Sequence, residues 1–262
     1  MTVTAGAIGV FDSGVGGISV LKQIRAQLPR HRLLYVADSG HVPYGDKTPD
    51  FIRERSLTLT RFLIGEGAAA VVIACNTATA AAAALLRARF DVPIIGMEPA
   101  VKPAVAATRS GVVGVLATVG TLESARFAAL LEQYAGDVEI VTQACPGLVE
   151  QVEAGELDSD ATRALIERYT QPLLTRGADT LVLGCTHYPL VKPLITAVVG
   201  SAVTLIDTGE AVARQVVRRL PAAVSAAHAA TPIERFWSTG DVDSARRIVS
   251  QLWGRPVAVD GL

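Results

Sequence analysis

The sequence predicts an α/β fold made of two pseudo-symmetric domains, each built on a parallel β-sheet, with the active site in the cleft between them. Short apolar runs alternate along the chain with Ala-, Leu- and Arg-rich stretches, which is typical of parallel strands joined by crossover helices. Strand-like segments of the first half also recur in the same order in the second half. Together these observations indicate a duplicated α/β unit.

The repeat is clearest around two cysteines, because each copy of a buried strand-like run ends at a cysteine followed by side chains that can form hydrogen bonds. A pseudo-twofold relation between the copies would bring Cys75 and Cys185 to opposite walls of one cleft. Two opposed acid/base groups suggest inversion of a stereocentre. The recurring segments are residues 67–77 with 177–187, residues 92–95 with 203–206, and residues 8–11 with 113–116.

The individual elements are expected in strand–helix order. In the first half, strand–helix pairs are predicted at residues 7–11 and 17–27, 33–37 and 50–64, and 71–74 and 77–89. In the second half, strands are predicted at residues 112–116, 138–142, 181–183 and 203–206, with a helix at 161–174. Ligands of such folds bind beyond the carboxyl ends of the strands, which is where both cysteines lie.

The C-terminal segment is predicted to return to the first domain, because the repeat ends near Ile206. It contains predicted helices at 210–219 and 242–252 and a strand at 235–238. We therefore expect one domain from residues 1–98 plus 208–262, carrying Cys75, and a second from residues 99–207, carrying Cys185.

The composition excludes several classes of protein. The 262 residues are 50% hydrophobic and 19% charged with a formal net charge of −1, so no basic surface for nucleic acid or an anionic membrane is indicated. No apolar run reaches the roughly 18 to 20 residues of a membrane helix, and the N-terminus lacks the basic region of a signal peptide. We expect a cytoplasmic protein with no nucleic-acid or membrane partner.

The three cysteines are expected to be reduced thiols, because they cannot all pair within one chain. They are too far apart in sequence for the usual clustering of a zinc site, so no metal is predicted. A lone free cysteine is commonly a small buried hydrophobic residue, and Cys145, which has no counterpart in the repeat, is assigned to structure. The equivalent positions of Cys75 and Cys185 favour a chemical role instead.

A Gly-rich segment, Asp12-Ser-Gly-Val-Gly-Gly17, follows the first strand and precedes a helix. It fails the dinucleotide fingerprint, because Ser19 occupies the position of the third glycine, and no Gly-Lys-[Ser/Thr] follows for a P-loop. A helix N-terminus with free backbone N–H groups remains, and it suits an anion such as a carboxylate. Asp12 and Ser13 are placed to contact such a ligand, or alternatively to cap the helix.

Four motifs together resemble those of the glutamate racemases, within the cofactor-independent aspartate/glutamate racemase superfamily. The resemblance spans almost the whole chain. It implies two α/β domains and interconversion of L- and D-glutamate by two thiols on opposite faces of the α-carbon, without a cofactor, supplying D-glutamate for peptidoglycan. It also implies a homodimer. The motifs are Asp12-Ser-Gly-Val-Gly-Gly17, Val42-Pro-Tyr-Gly45, Ala74-Cys-Asn-Thr-Ala-Thr79 and Gly184-Cys-Thr-His-Tyr-Pro189.

The resemblance implies catalytic roles for six residues. Cys75 would be the base on the D-face and Cys185 the base on the L-face, and Asp12 and His187 would assist them. Asp38 and Glu153 match acidic positions of the family's catalytic neighbourhood. Glu153 is preferred over Glu150, which stands where the family often has proline.

The same resemblance implies a set of substrate-binding residues. One departure from the family pattern is Ser39-Gly40-His41, where the family usually has Thr-Ala-Arg, and another is Ala117 in place of a glycine. The residues expected to hold the carboxylates and ammonium are Asp12, Ser13, Tyr44, Gly45, Asn76, Thr77, Thr118, Thr121, Thr186 and His187.

Other functions stay open from the residues alone. The architecture could racemise aspartate or another acidic amino acid, or decarboxylate a malonate, although a second cysteine argues against decarboxylation. The chain could also be a carboxylate-binding protein without activity, which the intact thiol pair makes the weaker hypothesis. No pyridoxal-binding signature is visible, so a racemase of this kind would need to stabilise the carbanion by electrostatics alone.

Overall fold

The computed structural model describes residues 6–225 and 233–262. Its strands are β1 (Ala7–Asp12), β2 (Leu33–Ala37), β3 (Ala68–Ile73), β4 (Ile94–Ile95), β5 (Val112–Ala117), β6 (Glu139–Ala144), β7 (Thr180–Leu183), β8 (Thr204–Ile206), β9 (Glu234–Ser238) and β10 (Asp260–Gly261). Most of them are buried on both faces, as expected when helices cover both sides of a parallel sheet.

Helices occupy the connections between these strands. Short 3₁₀ helices at Tyr44–Asp46 and Tyr188–Val191 follow β2 and β7. The α-helices are α1 (Ile18–Gln27), α2 (Pro49–Gly65), α3 (Asn76–Arg89), α4 (Val101–Ala107), α5 (Val119–Leu122), α6 (Ala125–Tyr134), α7 (Leu148–Glu153), α8 (Asp160–Thr175), α9 (Lys192–Val199), α10 (Gly209–Arg219), α11 (Ala222–Ser225) and α12 (Val242–Trp253).

Two parallel sheets organise the described residues. One has the strand order β10-β9-β2-β1-β3-β4 and the other the order β6-β5-β7-β8. The order β2-β1-β3-β4 in the first sheet corresponds strand by strand to β6-β5-β7-β8 in the second. The predicted fold class, α/β with two related parallel-sheet units, is therefore confirmed.

The first sheet is extended by the C-terminal segment. Strand β9 pairs with β2, with Leu33 opposite Glu234, and β10 adds to β9. Helix α12 covers this edge through an apolar stripe at Ala245, Ile248, Val249 and Leu252, the spacing of one helical face. The sequence prediction that this segment returns to the first half corresponds to this pairing, while the domain limits at residues 98 and 208 remain a prediction.

The fold places the predicted site residues at the ends of the two sheets that face each other. Asp12 ends β1, and Cys75 follows β3; Thr118 follows β5, and Cys185 follows β7. All four are therefore at carboxyl ends of parallel strands, where ligands of such sheets bind. Within the described ranges, no helix is long and apolar enough to cross a lipid bilayer.

Candidate functional site

A pocket lies between the ends of the two sheets. Both thiols face it and are nearly withdrawn from solvent, with exposed fractions of 6% for Cys75 and 7% for Cys185. Burial of the two thiols strengthens the electrostatic interactions that they make. Its lining residues are Ser13, Pro43, Tyr44, Gly45, Cys75, Asn76, Thr77, Thr118, Thr121, Val149, Gly184, Cys185, Thr186 and His187.

Cys75 stands at the N-terminus of helix α3 and caps it. Its Sγ accepts a hydrogen bond from the backbone N–H of Ala78 at 3.4 Å and lies 3.9 Å from Ser13 Oγ. Burial raises the pKa of the Cys75 thiol well above its ordinary value, and the charge of Asp12 raises it further. Both effects favour the protonated thiol over the thiolate at Cys75.

Cys185 has a different neighbourhood, because a histidine and a carboxylate stand behind it. Cys185 Sγ is 3.6 Å from Nδ1 of His187, and Nε2 of His187 is 2.6 Å from Oε1 of Glu153. Burial alone would lower the pKa of His187, but the hydrogen bonds to Cys185 and Glu153 outweigh it and raise that pKa well above its ordinary value. His187 is thus an imidazolium held between a carboxylate and a thiol.

The Gly-rich loop after β1 allows Glu153 and His187 to approach this closely. A Cβ on Gly14 would lie 2.6 Å from Glu153 Cδ, and one on Gly16 would lie 2.6 Å from His187 Cε1. The backbone N–H of Val15 donates a 2.6 Å hydrogen bond to Glu153 Oε1. The loop therefore serves as a backbone cradle for protein side chains of the opposite sheet, in addition to opening helix α1.

Asp12 lies behind the cavity lining and is fully buried. Its carboxylate accepts hydrogen bonds from the N–H groups of Ser13 and Gly17, both at 2.7 Å, and from Thr186 Oγ1 at 3.2 Å. Burial raises the pKa of Asp12, while the positive His187 and the two backbone hydrogen bonds lower it. Asp12 therefore connects the loop that contacts Cys75 to the segment that carries Cys185.

Three hydroxyl groups form a triangle at another wall of the cavity. Thr77 Oγ1 is 2.9 Å from Thr118 Oγ1 and 3.0 Å from Thr121 Oγ1, and the latter two are 3.0 Å apart. Beside them, Asn76 Nδ2 donates to the carbonyl oxygen of Gly184 at 2.9 Å. These neutral donors come from both sheets and are placed to bind carboxylate oxygens.

Comparison with known proteins decides the family. The family model described as Asp/Glu/Hydantoin racemase matches residues 8–216. The chain belongs to the Asp/Glu/Hydantoin racemase family. As a racemase it is an isomerase.

Named relatives resemble this racemase over nearly their full length. A glutamate racemase of Pseudomonas aeruginosa strain PAO1 is 58% identical over 265 residues, covering 100% of this chain and 99% of the relative. The crystal structure of glutamate racemase isoform RacE1 from Bacillus anthracis matches with a TM-score of 0.88 and 34% identity, covering 98% and 97% of the two chains. Escherichia coli glutamate racemase, solved with L-glutamate and the activator UDP-MurNAc-Ala, matches with a TM-score of 0.88 and 32% identity, covering 98% of each chain.

The racemase brings most of the sequence-predicted site residues to one place. Nine of those residues line the cavity together with Cys75 and Cys185: Ser13, Tyr44, Gly45, Asn76, Thr77, Thr118, Thr121, Thr186 and His187. Asp12 and Glu153 lie behind this lining and contact it. Their roles in catalysis and binding remain predictions.

Asp38 differs from the other predicted catalytic residues of the racemase, because its carboxylate is committed to protein partners. It accepts hydrogen bonds from Arg55, Tyr44 and Thr239, and His41 Nδ1 lies 3.1 Å from Oδ1. Asp38 is fully buried and does not line the cavity. Its connection to the site runs through Tyr44.

Sequence analysis missed two contacts that support these acids in the racemase. Arg55 holds Asp38, and Ser39 Oγ donates to Glu153 Oε2 at 3.2 Å. An arginine within a helix gives no sequence signal of this kind, and Ser39 stands out in the sequence only as a departure from the family pattern. Cys145 is buried, as assigned, and lies in the apolar core, where burial raises its pKa to about 12.

Proposed function

We propose that this racemase interconverts L-glutamate and D-glutamate by a cofactor-independent mechanism in which Cys75 and Cys185 act from opposite faces of the α-carbon. The observation that carries the proposal is that the two cysteines, at equivalent strand ends of the repeat, are buried and line one pocket. Relatives that match the whole chain at 58% identity bear the name glutamate racemase, which supports glutamate as the substrate.

In the proposed reaction, the thiolate of one cysteine removes the α-proton, forming an S–H bond as the C–H bond breaks. The electron pair stays on the substrate as a carbanion delocalised into its α-carboxylate. The thiol of the other cysteine then delivers its proton to the opposite face and becomes the thiolate. Cys75 acts on the D-face and Cys185 on the L-face, so each turnover exchanges the protonation states of the two sulfurs.

The surroundings of the two thiols favour one starting state. The imidazolium of His187 stabilises negative charge on Cys185 at 3.6 Å, whereas burial keeps Cys75 protonated. We infer that the reaction of L-glutamate begins at Cys185, beside His187, and that the Cys75 thiol supplies the proton to the opposite face. Glu153 keeps His187 charged and oriented, because its carboxylate accepts a hydrogen bond from Nε2–H of His187.

Neutral donors are proposed to bind the substrate and to stabilise the carbanion. Ser13, Asn76 and Thr186, with the hydroxyl triangle of Thr77, Thr118 and Thr121, offer several N–H and O–H groups to the two carboxylates. Preorganised donors in a dry site stabilise developing charge without reorganising. Gly45 and Tyr44 close the wall beside them, and Asp12 is placed to attract the substrate ammonium.

The biological setting is proposed on the same basis. We propose that the product D-glutamate serves peptidoglycan synthesis, that the enzyme acts in the cytoplasm, and that it forms a homodimer. We also propose the domain limits 1–98 plus 208–262 and 99–207, which place one catalytic cysteine in each domain.

The experiment that tests the function is an assay of the purified protein with each enantiomer of glutamate and of aspartate, without added cofactor. Chiral chromatography should detect D-glutamate from L-glutamate and the reverse, with little conversion of aspartate. Conversion of aspartate but not glutamate would reassign the substrate. Conversion of neither by folded, reduced protein would overturn the proposal.

A further inference from the structure

We propose that Arg55 is a positioning residue of this site: it holds Asp38, and Asp38 in turn holds Tyr44 in the wall of the cavity. This inference rests on the proposed function, because it concerns the same cavity. It also assigns Asp38, predicted from the sequence as catalytic, to a supporting role outside the reacting atoms.

The guanidinium of Arg55 forms a bidentate contact with the Asp38 carboxylate. Nε donates to Asp38 Oδ2 at 3.0 Å and an Nη donates to Oδ1 at 2.7 Å. The Asp38 carboxylate is fully buried, whereas the Arg55 side chain is 20% exposed. Such a two-pronged contact fixes orientation as well as charge, which a lysine cannot reproduce.

Asp38 transmits this constraint to Tyr44. The phenol O–H of Tyr44 donates to Asp38 Oδ2 at 2.5 Å, and Tyr44 lines the same pocket as Cys75. Thr239 Oγ1 donates to Oδ1 at 2.8 Å, and His41 Nδ1 lies 3.1 Å from the same oxygen. Burial opposes charge on Asp38, but the hydrogen bonds from Arg55, Tyr44 and Thr239 lower its pKa, so the carboxylate stays ionised.

The hydroxyl of Tyr44 therefore anchors this side chain to Asp38. Burial and the nearby Asp38 raise the pKa of Tyr44, so it remains neutral and donates its single proton to the carboxylate. The proton is then not available to the substrate, and Tyr44 acts in the pocket wall by occupying a fixed position. We expect that position to depend on the Arg55–Asp38 pair.

Tyr44 is also the first residue of the 3₁₀ helix Tyr44–Asp46. The second residue of this helix, Gly45, packs against Thr118, which follows strand β5 of the other sheet. A Cβ on Gly45 would lie 2.9 Å from Thr118 Cβ, and a Cβ on Gly120 would lie 3.0 Å from the Gly45 carbonyl oxygen. Thr118 belongs to the hydroxyl triangle. A displacement of Tyr44 would thus disturb the wall beside Cys75 and the polar groups proposed to bind a substrate carboxylate.

The test is a kinetic cycle of Arg55→Lys, Tyr44→Phe and the double variant, with L- and D-glutamate as substrates. We expect Arg55→Lys to lower kcat/KM about tenfold, the effect of losing one charge-assisted hydrogen bond. In the Tyr44→Phe background, where the anchor is already absent, the same change should alter kcat/KM less than about twofold. Non-additivity of this kind is a readout that general destabilisation does not produce.

A second pair of variants keeps the test informative if Arg55→Lys folds poorly. Arg55→Met combined with Asp38→Leu removes both charges and the oxygen that accepts the Tyr44 hydrogen bond, so it leaves no buried unpaired ion and should fold better than Arg55→Met alone. It should nevertheless show the kinetic defect of Tyr44→Phe. The matched control is Arg246→Gln in α12, where the exposed pair with Asp243 is remote from the cavity and kcat/KM should not change.

The results separate this inference from the proposed function. Glutamate racemisation by the unmodified protein establishes the function before any variant is compared. Equal fold-losses for Arg55→Lys with Tyr44 present and in the Tyr44→Phe background, or unchanged kinetics for folded Arg55→Lys, would overturn the positioning role. Absence of activity in the unmodified protein would instead overturn the proposed function.

Discussion

At the scale of residues, the two thiols are chemically inequivalent although they occupy equivalent positions of the repeat. Cys75 has a helix N-terminus, Ser13 and the negative Asp12 around it. Cys185 has the imidazolium of His187. A reaction that runs in both directions needs one thiolate and one thiol, and these surroundings supply the difference.

Replacing either cysteine should abolish racemisation while leaving the fold intact. Serine is close to cysteine in size, but its hydroxyl is a far weaker acid, so neither proton removal nor return is efficient. We expect Cys75→Ser and Cys185→Ser each to lower kcat by about 10³-fold or more. Circular dichroism should be unchanged. Full activity in either variant would contradict the two-thiol assignment.

The raised pKa of His187 predicts how stability depends on pH. Because the folded-state pKa lies above the ordinary value of about 6.5, the stabilisation is complete below that value and is lost as pH rises through the folded-state pKa. The loss of unfolding free energy caused by His187→Asn should therefore shrink as pH increases. Urea unfolding of both proteins at a series of pH values measures this difference in unfolding free energy.

The Glu153 variant provides the control for this pH dependence. Glu153→Gln removes the carboxylate that accepts the Nε2 proton, so it should lower the pKa of His187 and move the same stability loss to lower pH. A ring titration by NMR would follow His187 directly. A stability difference that grows with pH would contradict the assigned imidazolium.

The sequence predicted most of the residues that line the pocket, although their roles remain predictions, and it could not predict the contacts that support them. Cys75 and Cys185 were found because the repeat placed them at corresponding strand ends, and Glu153 because a motif resembled a family. Arg55 lies on a helix whose charged residues look like an ordinary solvated face. Its two hydrogen bonds to Asp38 depend on how α2 packs on the first sheet, against β1 and β3, which residue spacing does not encode.

At the scale of elements, the loop between β1 and α1 is shaped to receive side chains from the other sheet. Gly16→Ala would place a Cβ 2.6 Å from Cε1 of His187, whose ring faces Cys185, so the imidazole must shift. Because misplacement of a catalytic group by about 1 Å costs about 100-fold, kcat/KM should fall by about that factor. Steady-state kinetics with both enantiomers would measure the loss.

The matched control for this substitution is Gly65→Ala at the end of α2. A Cβ on Gly65 meets no atom within 4 Å and its φ is not positive, so activity should be unchanged. Stability should rise by about 0.5 kcal/mol, because alanine restricts the unfolded chain. Unchanged kinetics in Gly16→Ala would show that the cradle is not needed.

Element boundaries were predicted well where buried strands and long helices gave strong patterns. Strand β2 agrees at both ends, and α12 agrees to within one residue. Helices α4, α5, α6, α7, α9 and α11 were not predicted. Helix α4 has only seven residues, which gives a weak pattern. Pro103 is tolerated in its first turn because a backbone N–H at that position would have no partner within the helix.

At the scale of the whole molecule, the two sheets are joined by polar contacts that pass through the site. Ser19 Oγ donates to the Thr186 carbonyl oxygen at 2.8 Å, and Asn76 Nδ2 donates to that of Gly184. The duplication visible in the sequence predicted that two strand ends would face each other. Which hydrogen bonds tie them together depends on loop conformations that no repeat specifies.

These contacts predict that a bound substrate stabilises the whole protein. A ligand held by donors from both sheets binds only the folded chain, so at 100 times its dissociation constant it should add about 2.7 kcal/mol to the unfolding free energy. The inactive Cys75→Ser variant should show the shift without turnover. A glutamate-independent melting temperature would contradict a site shared by the two sheets.

The most direct test of the two-thiol mechanism is the racemisation of each glutamate enantiomer in heavy water, followed early in the reaction by proton NMR and chiral separation. Two opposed thiols predict deuterium at the α-carbon of the product, while the recovered substrate keeps its proton, in both directions. Deuterium appearing equally in recovered substrate and product would indicate a single shared base. Exchange with neither enantiomer would contradict glutamate racemisation itself.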